Sequence, residues 1–380
     1  MQEKAMDNLS DYVQWMADFP ISMTGFRDED ALILCALSYF DLTPVFCSAP
    51  ACPRVRDCRK MLEDGAVRVM TTGSDKGFSE LLDHAVNSKR FGDLRITDYV
   101  DTVRHDPPLQ FSAMCFHDDA DFSFIAFRGT DSSLAAWKED CMISFTRTEA
   151  QELALRYVED RIRPGRRWLI GGHSKGGNLA LYASCLLSDE KWDCISHLYL
   201  LDCPGFCPDV LDRSLEERID PRSTRIIPEF CIIGNLFHPK STDTRVVQSF
   251  AANFAQHPLI TWGIDHGKLA LAKAQDPESL LLSESVNYWV SQISQADRIV
   301  FTDELFDALT AGGAVTIEDI QEGGLESLDA ILRQFFDSSS VLKDALSDLP
   351  RHTWKIHMDA LRKRLSTGWD AMRKTQSQQS

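Results

Sequence analysis

From residue 106 onward, short apolar runs alternate with longer stretches of helical spacing. LQFSAMCFH (109–117) and FSFIAFRG (122–129) flank DDAD, the pattern of two strands joined by a tight connection. TEAQELALRYVEDRI (148–162) then carries apolar residues at intervals of three and four, as a helix does. RRWLIGGHS reads as a strand, GNLALYASCLLS as a helix, and ISHLYLLDCPG, STRIIPEFCII and TRVVQSFA as further strands. Runs apolar on both faces, alternating with helices, predict a mostly parallel sheet covered on each side, hence a three-layer α/β architecture.

The flanks have a different texture. DEDALILCALSYFDL and DKGFSELLDHAVNSKRF have helical spacing, and the Pro- and Cys-rich TPVFCSAPACPRVRDC between them reads as irregular. Past residue 270 the spacing is helical again, broken at TAGGAVTIEDIQEGG, and the tail RKTQSQQS is predicted to be disordered. The expected organisation is an N-terminal helical or cap region (1–105), an α/β core (106–270) and a C-terminal helical region (271–380). No internal repeat is visible.

The elbow of the core is GHSKG, residues 172–176, at a strand-to-helix junction. A Gly-x-Ser-x-Gly turn forces its serine, here Ser174, into a tight exposed bend while the glycines let neighbouring backbone pass. The following helix aims its positive end at the serine, which favours the negative charge of acyl transfer. A phosphate-binding Walker loop would need Gly-x-x-x-x-Gly-Lys-Ser/Thr, which is absent.

A serine nucleophile requires a base and an acid that orients the base, in the chain order serine, acid, histidine. Downstream histidines are His197, His238, His257, His266, His352 and His357. His257, in a loop after the last core strand, is the first candidate base, with His238 and His266 as alternatives. Asp202, at the end of the strand after the serine's, is the first candidate acid, and Asp243, one strand later, is the second. Asp202 also opens DCPG, where a turn-forming aspartate is expected. The oxyanion hole takes the backbone amide of Lys175 and that of Thr130, whose hydroxyl offers a further donor; GTDSS equally reads as a helix N-cap.

Composition narrows the function classes. The chain of 380 residues carries a net charge of −17 from 57 acidic and 40 basic side chains, which opposes binding to nucleic acid. The start, MQEKAMDNLSDYVQWMADF, is charged and amphipathic rather than a secretory leader, and no apolar stretch approaches the roughly 20 residues of a membrane span. Eleven cysteines, an odd number, fit a reducing cytoplasm. Cys47, Cys52, Cys58, Cys203 and Cys207 include no CxxC pair, so no metal and no cofactor are predicted.

AFRGTDSSLAAWKED, GGHSKGGNLALYAS, DCPGF and QHPLITW, in that order, resemble the class 3 lipase-like α/β hydrolases and, more closely, the bacterial Mbeg-like family related to them. The similarity runs over roughly residues 20–270. It implies an α/β-hydrolase fold, esterase or lipase activity, Thr130 at the oxyanion hole, Ser174 as nucleophile and His257 as base. Class 3 lipases usually draw their acid from a strand later than the one ending in Asp202, and CIIGNLFHP carries no carboxylate, which leaves the acid open.

RHTWKIHMDALRKRLSTGWDAMRKTQ places Trp354, Met358, Leu361, Leu365, Trp369 and Met372 on one helical face, opposite a basic one. Such a helix docks on an acidic body, pairs with another copy, or lies at a membrane surface, which would suit a lipid hydrolase. Two functions are therefore expected: a cytoplasmic serine esterase or lipase acting on a small acyl ester or lipid, or an inactive binding or scaffold protein on the same fold.

Overall fold

A strand that is apolar on both faces needs a layer of helices on each side, and the computed structural model builds that sandwich. It describes residues 6–48, 52–70, 75–105, 108–130, 134–238 and 241–310. A small antiparallel ribbon pairs β1 (Phe40–Asp41) with β2 (Arg68–Val69). The main sheet has seven strands in sequential order: β3 (Arg95–His105), β4 (Pro108–His117), β5 (Phe122–Phe127), β6 (Arg167–His173), β7 (Ile195–Leu201), β8 (Ser223–Pro228) and β9 (Thr244–Val247). β3 to β5 are antiparallel and β5 to β9 parallel. The expected mostly parallel α/β sheet is therefore present.

Side chains alternate along each strand and feed two cores. Phe124 and Ala126 of β5 pack with Leu32, Cys35 and Leu81 from helices Asp28–Leu37 and Asp75–Asn87. Ile125 and Phe127 pack with Val158 and Leu179 from helices Glu149–Arg161 and Lys175–Leu186 on the other face. Helix Glu149–Arg161 begins on a capping box between Thr148 and Gln151.

Two local expectations change. β3 lies in the stretch ahead of residue 106 that was expected to be helical. Its period-two alternation is interrupted by a bulge between Thr97 and Val100, with Asp98 at φ 55°, so the strand signal is split. Within TPVFCSAPACPRVRDC, residues Thr43–Ser48 form a short helix, because Pro44 sits in the first turn, where a missing N–H is harmless.

Beyond β9 the chain leaves the sheet: Gln248 N–H donates to Ala270 O and Phe250 N–H to Thr261 O, which folds residues 248–272 back on themselves. Asp7 and Ile264 exchange backbone hydrogen bonds at 3.0 and 2.6 Å, fastening the N-terminal segment to this loop. Helices Pro277–Gln292 and Gln295–Thr310 follow, held by Asn287 Nδ2 to Asn235 O at 2.8 Å and Gln295 Nε2 to Phe145 O at 3.1 Å. Among the described residues no helix is long and apolar enough to cross a membrane.

Candidate active site

The register of the parallel strands sets Phe127, Gly172 and Leu200 side by side, so the loops after β5, β6 and β7 open at one edge of the sheet. Ser174 follows β6 directly at φ 56°, ψ −128°, a conformation a non-glycine residue adopts only when its surroundings enforce it. The enforcement comes from packing. A Cβ on Gly172 would collide with the Gly176 backbone, and one on Gly176 with Phe127 O, so the bend fits under β5 only with glycine at both places. Ser174 N–H is held by Leu201 O at 2.9 Å, and helix Lys175–Leu186 begins at the next residue.

Asp202, one residue past β7, also has positive φ (39°), and its N–H donates to Ile226 O at 2.8 Å. This bend turns a buried carboxylate toward His257, whose Nδ1 lies 2.6 Å from Oδ2. Oδ1 accepts the Cys231 thiol and the Gly234 N–H, both at 3.0 Å. Burial pushes the Asp202 carboxyl upward, but His257 and these donors outweigh it, and the group ends below the usual carboxylate range.

His257 is carried by a loop fixed at several points. Trp262 Nε1 donates to Gln256 O at 2.8 Å, and Gln256 Oε1 accepts Phe230 N–H at 2.8 Å. The imidazole lies against that of His173, the residue before Ser174, with centroids 4.5 Å apart and planes at 35°. His173 Nε2 donates to the His257 carbonyl at 2.9 Å. Burial, and then the neighbouring His257, push His173 down to about 3, so it is neutral.

Thr130, buried after β5, gives its hydroxyl to Asp140 Oδ2, so the expected free hydroxyl donor is already committed and only the backbone amide of Thr130 is left for an oxyanion. Burial raises Asp140 to about 6 despite Lys175. The Lys175 ammonium is itself buried and bonds Glu139 Oε2, with Asp140 Oδ1 at 3.9 Å; Glu139 also accepts Gln110 N–H at 3.0 Å. This buried pair ties the elbow to helix Leu134–Ile143 behind the Thr130 loop.

The other candidates lie elsewhere. Asp243 accepts from Thr224 Oγ1 at 2.8 Å and pairs with Arg245, not with a histidine imidazole. His238 lines a cavity of about 410 Å³ with Arg213, Ser214 and Glu217. His266 is exposed and bonded to its neighbour Asp265, and His197 bonds Thr224. His352, His357 and the basic amphipathic segment lie outside the described residues.

Among the described residues, the potential metal ligands that converge are Asp98, Cys115 and His117, within 4.8 Å of one another. Their lone pairs are in use: His117 faces Ser123 Oγ and Thr97 Oγ1, each at 2.8 Å, and Arg161 lies 3.3 Å from Asp98. A second cation there would meet that guanidinium. Neither this group nor the Cys231 and Gly234 contacts of Asp202 were anticipated from the sequence.

A mostly parallel sheet wrapped in helices, with a strained serine elbow at its carboxyl edge, defines an α/β-hydrolase-like fold. The chain belongs to the Mbeg1-like family, which it matches over residues 85–307. A solved structure described as the crystal structure of M37 lipase is similar at 14% identity, covering 55% of this chain and 70% of that one with a TM-score of 0.35. No curated protein matches the chain.

Proposed function

We propose that this protein is a serine hydrolase that cleaves a carboxylic ester, a lipid or another acyl ester, through an acyl-Ser174 intermediate. His257 Nε2 takes the Ser174 hydroxyl proton as Oγ attacks the acyl carbon, and the backbone amides of Thr130 and Lys175 hold the oxyanion. The tetrahedral species then expels the alcohol, which receives the proton from His257. Water, deprotonated by His257, attacks the acyl-serine; the acid is released and Ser174 recovers its proton. Asp202 keeps the proton of neutral His257 on Nδ1 and stabilises the imidazolium.

The observation that carries this reading is the 2.6 Å bond between His257 Nδ1 and buried Asp202, set beside a strained serine elbow. A scaffold without turnover has no use for that strain, which costs about 1–3 kcal/mol. The described cysteines are free thiols, which fits work in a reducing cytoplasm. A fluorophosphonate probe is expected to label the protein and to leave Ser174→Ala unlabelled. Labelling that survives the substitution refutes the assignment.

A further inference from the structure

His173 has a hydrogen-bond partner on each ring nitrogen, and the two bonds fix its tautomer. The His257 carbonyl, 2.9 Å from Nε2, can only accept, so Nε2 carries the proton. Nδ1 is then an acceptor, and the Tyr39 hydroxyl 2.7 Å away is its donor. The same Tyr39 oxygen sits so close to Gly129 that a Cβ there would run into it. Gly129 immediately precedes Thr130.

One directed chain therefore runs from the Tyr39 hydroxyl through the His173 imidazole to the His257 carbonyl, with the Tyr39 oxygen packed against Gly129 in the loop after β5. Every side chain in it is buried. Tyr39 enters from the N-terminal layer, at the end of helix Asp28–Leu37, with its ring against Phe78 at 5.6 Å. The chain joins three parts that the sheet alone does not hold in register: the loop after β5, the elbow and the loop bearing His257.

We propose that Tyr39 and His173 are positioning residues for this site, setting the spacing between the oxyanion loop and the general base. The proposal rests on the serine-hydrolase reading. His173 faces His257, Asp202, Tyr39 and the Trp262 ring, and Tyr39 faces Asp140, Arg128 and Cys35. Held as the Nε2–H tautomer, His173 presents a neutral ring to His257 when the latter becomes an imidazolium. It also pins the backbone of the base where the imidazole must meet Ser174. Loss of either function displaces reacting groups, and a displacement near 1 Å costs about 10²-fold in rate.

The test compares wild type, Tyr39→Phe and His173→Leu by ester turnover, by the rate of fluorophosphonate labelling and by ¹⁵N NMR of the histidine side chains. Expected results are a fall in kcat of about 10²-fold with KM unchanged in both variants, equally slowed labelling, and a wild-type His173 that keeps the Nε2–H signature across the neutral range. Tyr39→Phe should keep the Nε2–H tautomer, since the His257 carbonyl remains, while the His173 Nδ1 resonance moves as that nitrogen loses its donor. Wild-type labelling that proceeds at the same rate in Tyr39→Phe overturns the proposal while leaving the serine-hydrolase reading intact. A wild type that never labels removes the serine-hydrolase reading itself. If neither variant folds, a wild-type His173 found as the Nδ1–H tautomer is sufficient to overturn the proposal, and the Nε2–H tautomer supports it.

Discussion

Replacing Asp202 with asparagine changes one atom and almost no volume, yet the surroundings dictate which way the new amide must face. Oδ1 receives both the Cys231 thiol and the Gly234 N–H, so the asparagine oxygen has to occupy that side. Its NH₂ is thereby directed at His257 Nδ1, where Oδ2 now stands at 2.6 Å. An N–H pointing at Nδ1 forces the imidazole to carry its proton on Nε2, the nitrogen that in the proposed mechanism accepts from Ser174. Enforcing the wrong tautomer in a triad costs about 10⁴-fold in kcat, or about 5 kcal/mol of barrier. The assay is steady-state hydrolysis of a short nitrophenyl ester, with circular dichroism and a urea midpoint to show that the fold is retained. A loss below about tenfold, where orientation should cost thousands, would mean that Asp202 does not orient the base.

Gly234→Ala should lower kcat by about 10²-fold with little change in stability, because its Cβ would lie 2.5 Å from Asp202 Oδ1 and push the carboxylate off His257; kinetics beside a urea titration separate the two effects. Arg90→Met is expected to destabilise the fold by about 3–5 kcal/mol, since Arg90 and Asp30 are fully buried and the variant strands Asp30 without its guanidinium; chemical denaturation reads this directly. Stability should also fall in acid. Burial, and then Arg166, hold His117 at about 4, against 6.5 in the unfolded chain. The folded state therefore stays neutral while the unfolded state takes up a proton, so this stabilisation is complete above pH 6.5 and is lost as pH falls toward 4. In His117→Gln, urea midpoints measured across that window should show a slope shallower by up to about 1.4 kcal/mol per pH unit, and less because the ring keeps some contact with solvent. An unchanged slope contradicts the burial argument.

What could be read from the chain was local. The elbow was visible because strand, Gly-x-Ser-x-Gly and helix are contiguous, and the positive φ of Ser174 is what that spacing demands. Asp202 and His257 were reachable by chain order and strand ends, and their mutual bond could not be read at all, being a tertiary fact across 55 positions. Tyr39 lies 134 positions from His173, inside an apolar helix-like run where a buried tyrosine looks like core. Cys231 and Gly234 were hidden by reading STRIIPEFCII as one strand: the ladder stops at Pro228, and the residues beyond it turn to face Asp202. A Gly following apolar residues there was the available signal for a close approach to another group. β3 was missed because a bulge splits its alternation, and the Thr130 hydroxyl was misassigned because its acceptor, Asp140, lies on the next helix.

The proposed mechanism requires an acyl group carried on Ser174 during turnover. Acid-quenching the protein within the first turnovers of a nitrophenyl ester, then mapping peptides by mass spectrometry, looks for that group. The expected result is an acyl mass increment confined to the peptide bearing Ser174 and absent from Ser174→Ala. An increment on another residue, or steady turnover in Ser174→Ala, would contradict it.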